Sequence, residues 1–173
     1  LDAEPLSPGV RRRIAKVQMW REQNSSSFFK ENAERFRKKQ ELIAPWADYA
    51  EISLQLLDRL TEVPFQTILE VGVGEGWLLP ELQKRAKNVI ALDLSAEMLS
   101  LARDHAGHLP GMEFVQGSTD GLLESGVAAD AVVANMVLHH APDPRRILAE
   151  AADLLSPSGT LIVSELCAHD QAW

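Results

Sequence analysis

The stretch from Thr67 to Trp77, with the sequence TILEVGVGEGW, constrains the fold of this 173-residue chain more than any other. Its first half is a short apolar run of the kind found in the buried central strand of a parallel sheet. Its second half holds Gly72, Gly74 and Gly76, which lack a Cβ and so let the backbone turn tightly and approach a ligand. The stretch therefore predicts a strand, a ligand-binding loop and then a helix that begins near Trp77.

The spacing of small residues argues against a dinucleotide in this loop. The dinucleotide fingerprint G-x-G-x-x-G/A needs a small third residue for close packing of helix on strand, and Trp77 occupies that position. Glu75 would also lie beside the helix N-terminus where a pyrophosphate binds, and the two anions would repel each other. A positively charged ligand without phosphate groups fits the loop better.

Further strands and helices alternate along the chain after this loop. The predicted strands cover residues 88–93, 112–116, 131–135 and 160–165. Helices are predicted between them, one capped by Ser95 and another by Asp143 with Pro144 at its first position. Because parallel neighbours need a crossover helix, this alternation predicts an α/β fold with a doubly wound, mostly parallel sheet.

We predict two parts of the chain, a helical segment or linker over residues 1–45 and a ligand-binding domain over residues 46–173. Three helices are expected before the first strand, each from apolar residues at helical spacing. They are indicated by residues 10–22, by Phe29, Ala33 and Phe36, and by residues 46–60 with Tyr49, Ile52, Leu56, Leu57 and Leu60 on one face.

Charge is distributed unevenly between these two parts. Residues 1–39 hold ten of the 17 Lys and Arg residues and five acids, which gives this segment a charge of +5 in a chain of net charge −8. Such a segment fits a solvated helix face or a linker, which we favour, and it also fits an arm that binds nucleic acid.

Composition sets broad limits on the compartment. The chain contains one cysteine, Cys167, so no disulfide forms within it and a reducing compartment is favoured. No apolar run approaches the ~20 residues of a membrane span, and no signal-peptide pattern opens the sequence. We therefore expect a cytoplasmic protein without a membrane segment.

Four motifs, in order, resemble those of one enzyme family. Residues 70–76, EVGVGEG, resemble motif I (E/D-x-G-x-G-x-G) of the class I S-adenosylmethionine-dependent methyltransferases, and residues 93–98, DLSAEM, resemble the motif that follows it. Residues 138–143 and 155–159 are similar to the family's signatures around its fourth and fifth strands. The resemblance covers residues 67–165 and implies a Rossmann-like fold with S-adenosylmethionine as cofactor, whose sulfonium and ammonium suit acidic neighbours.

The resemblance also implies roles for the residues at the strand ends. Glu70 supports the methionine end of the cofactor, Asp93 binds the ribose hydroxyls and Asn135 faces the sulfonium. Asp93 follows Gly72 by 21 positions, the separation at which an acid on the second strand reaches a ribose. The predicted cofactor-binding residues are Glu70, Gly72, Val73, Gly74, Asp93, Leu94, Met98, Ser118, Thr119 and Asn135.

The chain departs from the family pattern at the adenine contact. The loop after the third strand commonly reads Gly-Asp-Ala in the family and binds the adenine amino group, whereas residues 117–119 read Gly-Ser-Thr here. We therefore expect a weaker or displaced contact from Ser118 and Thr119, with Leu94 and Met98 packing on the adenine ring.

Two further departures concern the ends of the chain. The family's sixth and seventh strands have no counterpart before Trp173, so we expect a domain truncated at its C-terminus. Residues 11–13, 28–29 and 168–173 resemble a subgroup fused to arsenic-repressor-type winged-helix regulators. In that subgroup DNA is bound only by a separate domain, which would lie outside this chain.

His139 and His140 are the candidate catalytic residues. A histidine accepts a proton near neutrality, so either one suits a general base for the acceptor. Methyl transfer from a sulfonium is an in-line displacement that depends mostly on positioning, and we therefore favour a structural role for the pair. No Cys/His cluster has the spacing of a metal site, and an arsenite methyltransferase would need more thiolates than Cys167, so we predict no metal.

Two functions follow from this reading. The preferred one is a methyltransferase for a small-molecule acceptor, with N-terminal helices that cover the cofactor and that also suit a homodimer. The alternative is a domain that senses the cofactor or a metabolite for an attached transcriptional regulator. A nucleic-acid amino-methyltransferase is disfavoured, because it needs Asn/Asp-Pro-Pro-aromatic after the fourth strand and residues 135–138 read Asn-Met-Val-Leu.

Overall fold

The computed structural model of the chain describes residues 7–14, 16–17, 46–61 and 64–167. Within the first of these ranges the chain is helical from residue 8, so the first predicted helix begins two residues earlier than expected. Residues 16–17 are helical too. The other residues of that helix, the helix predicted around Phe29 and Phe36, and residues 168–173 lie outside the described residues. The proposed boundary at residue 45 accordingly stays a prediction.

After residue 45 helices and strands alternate, as the sequence predicts. The described elements are α1 (Trp46–Leu60), β1 (Phe65–Val71), α2 (Leu79–Gln83), β2 (Ala86–Asp93), α3 (Ala96–Ala106), β3 (Met112–Gln116), α4 (Thr119–Glu124), β4 (Ala129–Asn135), a 3-10 helix (Leu138–His140), α5 (Pro144–Asp153) and β5 (Leu155–Ser164).

The five strands form one sheet in the order β3-β2-β1-β4-β5, and every pair is parallel. In the central strand β1, Glu70 lies beside Ala91 of β2 on one side and Val133 of β4 on the other. The order reverses at β1, and open α/β sheets bind ligands at the carboxyl ends of the strands beside such a reversal. The predicted doubly wound, parallel α/β fold is confirmed.

Apolar side chains fill both faces of the sheet. On one face α1, α2 and α3 contribute Leu57, Leu79 and Leu99, all fully buried. On the opposite face α4 and α5 contribute Leu122 and Ala151. The sheet is therefore the middle of three layers, and packing on both faces fixes the strand ends where the predicted site residues lie.

The strands extend further toward their amino ends than the sequence suggests. β2 begins at Ala86 and β4 at Ala129, each two residues before the predicted start. The fifth strand was predicted to begin at residue 160, but β5 begins at Leu155. Ala129 of β4 pairs with Leu155 and Ala131 pairs with Thr160, so residues 156–159 form an irregularity inside the strand. The Pro and Gly of that segment are turn signals in sequence, but pairing with β4 resumes after them.

The buried face of α1 differs from the predicted one. The structure buries Ala50, Ser53 and Leu57, whereas Ile52 and Leu56 are 56% and 43% exposed. Small side chains at the first two buried positions let the helix lie close to the sheet. The apolar repeat alone therefore indicated the helix correctly and its orientation incorrectly.

Two short helices also differ from expectation. α2 begins at Leu79 rather than at Trp77, with Pro80 in its first turn, and α4 begins at Thr119, inside the loop predicted after the third strand. No helix within the described ranges combines the length and the apolar character that crossing a membrane requires.

Candidate active site

The glycine loop, residues 72–76, leads from the carboxyl end of β1 toward α2. Gly72, Gly74 and Gly76 have φ angles of 71°, 54° and 80°, a region that strains residues with a Cβ. A Cβ on Gly72 would lie 2.3 Å from Cγ2 of Val137, and one on Gly76 would lie 2.9 Å from Cα of Ala102. These two glycines therefore let the loop pack against the segment after β4 and against α3.

Gly74 differs from the other two glycines, because no atom lies within 4 Å of the Cβ that it lacks. Its N–H donates to Oδ2 of Asp93 at 2.9 Å, and Oδ1 of Asp93 accepts from the N–H of Ser95 at 2.9 Å. Burial raises the pKa of Asp93, although these two N–H groups and that of Leu94 oppose the shift. The acid predicted to bind ribose therefore lies beside the loop, and its oxygens keep lone pairs for further donors.

Glu70 is buried at the end of β1, with 5% of its surface exposed. Its Oε2 atom has no hydrogen-bond partner among the described residues. Burial, and then the negative charge of Asp93, raise the pKa of Glu70 to about 8. An unsatisfied buried carboxyl oxygen is costly, so a ligand that brings a donor, best of all a cationic one, suits this position.

The helix α1 brings a serine to the carboxyl ends of β4 and β5. The Ser53 hydroxyl donates to Oδ1 of Asn135 at 2.9 Å and lies 3.1 Å from Oγ of Ser164. The Nδ2 group of Asn135 is buried and has no hydrogen-bond partner in the described part of the chain. Asn135 thus keeps a donor for a ligand while its carbonyl oxygen holds α1.

Tyr49 lies one turn before Ser53 on the same side of α1. Burial, and then the charge of Glu70, raise the pKa of Tyr49 to about 12, which places this phenol in the electrostatic field of the buried acid. The helix therefore covers the ends of β4 and β5 with Ser53, and its Tyr49 phenol interacts electrostatically with Glu70.

The two unsatisfied groups fit the methionine end of the predicted cofactor. That end carries an ammonium, which donates hydrogen bonds, and a carboxylate, which accepts them. Glu70 supplies an acceptor and Asn135 a donor, and strand pairing sets Glu70 beside the residue two positions before Asn135. The residues present therefore suit S-adenosylmethionine.

The Ser118 and Thr119 hydroxyls, which were predicted to lie near adenine, donate hydrogen bonds to acids of the protein itself. Ser118 Oγ donates to Oδ1 of Asp120, and Thr119 Oγ1 donates to Oε2 of Glu150 on α5. Thr119 is only 4% exposed, because it begins α4 and packs toward α5. This arrangement agrees with the weaker contact expected here, and contact of either residue with the cofactor stays a prediction.

The other predicted adenine contacts lie at the start of α3. Leu94 is 68% exposed directly after β2, and Met98 is buried, with its N–H donated to Oγ of Ser95 at 3.2 Å. Val73 in the glycine loop belongs to the apolar core, so only its backbone is offered to a ligand. An exposed leucine beside the loop suits a flat apolar ring, and these contacts also stay predictions.

Trp77, which occupies the place of a small residue in dinucleotide-binding loops, has a packing role. Its ring stacks on Trp46 of α1 with centroids 6.5 Å apart, and His105 of α3 meets it edge-on at 3.8 Å. Its Nε1–H donates to Oε2 of Glu75 at 2.9 Å. The residue therefore links α1, the glycine loop and α3.

The two candidate catalytic histidines form part of the 3-10 helix after β4, and their ring centroids are 3.9 Å apart. Nδ1 of His139 lies 2.6 Å from Oε1 of Glu165, which directly follows β5. Burial, and then the charge of His139, lower the pKa of His140 to about 4. In the described ranges, no group of three or more His, Cys, Asp or Glu side chains is arranged to hold a metal ion.

The structure adds Tyr49, Ser53 and Glu165 to the residues expected from the sequence. One sequence feature could have identified Ser53: it is a polar residue at helical spacing between Ala50 and Leu57 on the buried face. Glu165 and Tyr49 gave none, because their partners depend on how the strands and α1 are arranged in space.

The amino-acid sequence matches a family model described as "Methyltransferase domain" over residues 69–163, which is 95 of the 173 residues. Among curated proteins, it is 32% identical over 118 residues to the ubiquinone biosynthesis O-methyltransferase of Xylella fastidiosa, covering 66% of this chain and 48% of that protein. It is 33% identical over 108 residues to an uncharacterized methyltransferase of Mycobacterium tuberculosis, covering 62% and 54%. The chain spans about half the length of these relatives.

Solved structures agree with this match. The complex of DhpI with SAH superimposes with a TM-score of 0.63 at 26% identity, covering 85% of this chain and 70% of that one. A methyltransferase of Haloferax volcanii, solved with its activator Trm112, gives a TM-score of 0.62 at 26% identity, covering 78% and 58%. The family match, the parallel sheet and the glycine loop together show that the chain belongs to the class I S-adenosylmethionine-dependent methyltransferases.

Proposed function

We propose that this domain transfers a methyl group from S-adenosylmethionine to a small-molecule acceptor at the carboxyl ends of β1 and β4. The observation that carries the proposal is the pair of buried, unsatisfied groups, Oε2 of Glu70 and Nδ2 of Asn135, next to a loop of positive-φ glycines. The cofactor supplies an electrophilic methyl group on a sulfonium.

Several of the predicted cofactor-binding residues have roles that their geometry supports. Glu70 accepts from the ammonium, and Asn135 donates to the carboxylate or faces the methyl group. Asp93 accepts from the ribose hydroxyls while it holds the N–H of Gly74, and Leu94 offers an exposed apolar surface to adenine. The open space beside Gly74 lets the cofactor approach the backbone.

We propose further that the acceptor offers a hydroxyl group. The relative in Xylella fastidiosa is named as an O-methyltransferase, and the chain here shares 32% identity with it over 118 residues. The Tyr49 phenol, which lies in the electrostatic field of Glu70, offers such an acceptor a polar group, whereas the buried Ser53 hydroxyl is held by Asn135.

Several narrower expectations from the sequence stay predictions. A sensing role in a regulator fusion, a DNA contact through another domain, a homodimer through the N-terminal helices and a cytoplasmic location each came from the sequence alone. No contact among the described residues favours the sensing role over catalysis.

A label-transfer assay tests the proposed function. Methyl-labelled S-adenosylmethionine is incubated with the protein, a panel of small hydroxyl compounds and a metabolite extract. Wild type and the control Asp130→Asn should label the same product, whereas Asp93→Asn should label little of it because ribose binding is impaired. Tight cofactor binding without label transfer to any acceptor would overturn the enzymatic proposal and leave the cofactor site intact.

A further inference from the structure

We propose that Glu165 is a positioning residue for His139, and that His139, rather than His140, takes the proton from the acceptor during methyl transfer. This inference rests on the proposed function, since it assigns the base of that same site. It concerns acceptors with an O–H group or an N–H group that must lose a proton.

The carboxylate of Glu165 holds both the ring and the backbone of His139. Its Oε1 atom lies 2.6 Å from Nδ1 of the ring, and its Oε2 atom accepts from the N–H groups of Leu138 at 2.7 Å and His139 at 3.2 Å. A carboxylate that binds a histidine at two points fixes where the ring lies relative to the 3-10 helix. The strand β5 thereby positions a side chain that follows β4.

The same contact fixes the tautomer of His139. Burial of Glu165 opposes ionisation, but the N–H of Leu166 and the imidazole of His139 outweigh it and hold the pKa of the Glu165 carboxyl below its usual value. An ionised carboxylate only accepts hydrogen bonds, so Nδ1 of His139 must donate. The Nε2 atom then carries the lone pair that a base needs, and with 28% of the side chain exposed a small acceptor can reach this residue.

His140 lacks these properties. Its pKa is lowered to about 4, first by burial and then by the charge of His139, so at neutral pH it is a weak proton acceptor. Its ring lies against that of His139 at a centroid distance of 3.9 Å, and Glu165 is the acid that faces both. The pair is therefore asymmetric, with one ring exposed and bound to a carboxylate and the other half-buried.

The proposed step balances as follows for a hydroxyl acceptor. The acceptor O–H gives its proton to Nε2 of His139, and an oxygen lone pair forms the new C–O bond with the methyl group. The C–S bond breaks and its electron pair stays on sulfur, which leaves a neutral thioether. The imidazolium of His139 is stabilised by the Glu165 carboxylate until it releases the proton to solvent.

The tautomer is measured first, on wild-type protein without cofactor or acceptor. Nitrogen-15 NMR of the imidazoles, with His139→Gln to assign the signals, should show His139 protonated at Nδ1 at neutral pH. In Glu165→Gln this preference should weaken, and in the matched surface control Glu113→Gln it should not change. An Nε2-protonated His139 in wild type overturns the proposal even if Glu165→Gln does not fold.

Kinetics then test the proton transfer with the acceptor identified by label transfer. We expect His139→Gln to lower kcat about 100-fold and Glu165→Gln about tenfold, with a smaller loss for His140→Gln and little change in KM for the cofactor. The acid limb of the pH–rate profile should move to lower pH in Glu165→Gln, because the carboxylate that stabilises the imidazolium is gone. If the kcat and the pH profile of Glu165→Gln equal those of Glu113→Gln, the positioning role of Glu165 is refuted. If no acceptor is methylated, the proposed function fails, and the NMR result still decides the tautomer.

Discussion

Acids lie at both ends of the sheet, and they differ in how their carboxyl oxygens are hydrogen-bonded. At the amino end, Oδ2 of Asp130 accepts from the N–H groups of Gln66 at 2.7 Å and Thr67 at 3.1 Å, and Oδ1 accepts from the hydroxyl of Ser156 at 3.0 Å. At the carboxyl end, Glu70 is buried with an unsatisfied oxygen. The first acid ties three strands together, whereas the second has polar capacity that the described fold does not use.

The pKa shifts follow this difference. Burial opposes ionisation of Asp130, but the donors on Thr67, Gln66 and Ser156 outweigh it and lower the pKa of its carboxyl. The pKa of Glu70 rises to about 8, because burial and Asp93 act in the same direction. A satisfied, ionised acid indicates a structural role, and a buried acid with a raised pKa and an unsatisfied oxygen indicates a ligand site.

The largest expected effect concerns Glu70 and pH. Its folded-state pKa of about 8 lies above its ordinary value of 4.5, so the folded protein holds a proton that the unfolded chain releases between these values. This group's contribution is therefore fully present below pH 4.5 and is lost as pH rises toward 8, by on the order of 5 kcal/mol in total.

Urea unfolding of Glu70→Gln at several pH values measures this effect. The variant carries no titrating group at residue 70, so its free energy of unfolding should rise relative to that of wild type as pH increases through this window. The control Glu113→Gln, which changes an exposed acid on β3, should follow wild type. A constant difference between Glu70→Gln and wild type would show that Glu70 is ionised without the cofactor.

Asp130→Ala should have the next largest effect, and on stability alone. It removes the acceptor for three hydrogen bonds, each contributing about 1 kcal/mol, so the free energy of unfolding at pH 7 should fall by about 2–3 kcal/mol. Because the pKa of Asp130 is lowered on folding, its contribution is present above pH 4 and is lost as pH falls through the folded pKa. Cofactor affinity of the folded variant should not change, and a clear loss of affinity would break the contrast between the two ends.

Ser53→Ala is expected to have the smallest effect. It removes the donor that ties α1 to Asn135, at a cost of about 1 kcal/mol. Hydrogen exchange should increase in α1 more than in β1, whereas the exposed helical serine variant Ser100→Ala should leave exchange in α1 unchanged. Equal exchange in the two variants would mean that apolar packing alone holds α1 over the site.

The cofactor half of the site was predictable because its signal is local in sequence. One strand, one glycine loop and one acid 21 positions further along are read from a single continuous stretch, and the structure brings Gly74 and Asp93 together. The parallel sheet follows from the same alternation. The orientation of α1 did not follow, because the small residues Ala50 and Ser53 face the sheet beside Leu57, whereas Ile52 and Leu56 are exposed.

The other half of the site depends on contacts between distant residues. Ser53 and Asn135 are 82 positions apart, and Ser53 and Ser164 are 111 apart. His139 meets Glu165 only because β4 and β5 are paired in parallel, which brings their carboxyl ends to the same edge. Composition and periodicity carry no information on such pairs.

The measurement that tests the account most directly is calorimetric titration with S-adenosylmethionine, S-adenosylhomocysteine and NAD. Wild type and Asp130→Asn should bind the first two with similar affinity and should not bind NAD. Asp93→Asn, confirmed as folded by thermal melting, should bind more than tenfold more weakly, because charge-assisted hydrogen bonds to the ribose contribute about 1.5–3 kcal/mol each. Binding of NAD alone, or equal affinity in Asp93→Asn and wild type, would contradict a cofactor site at the carboxyl end of the sheet.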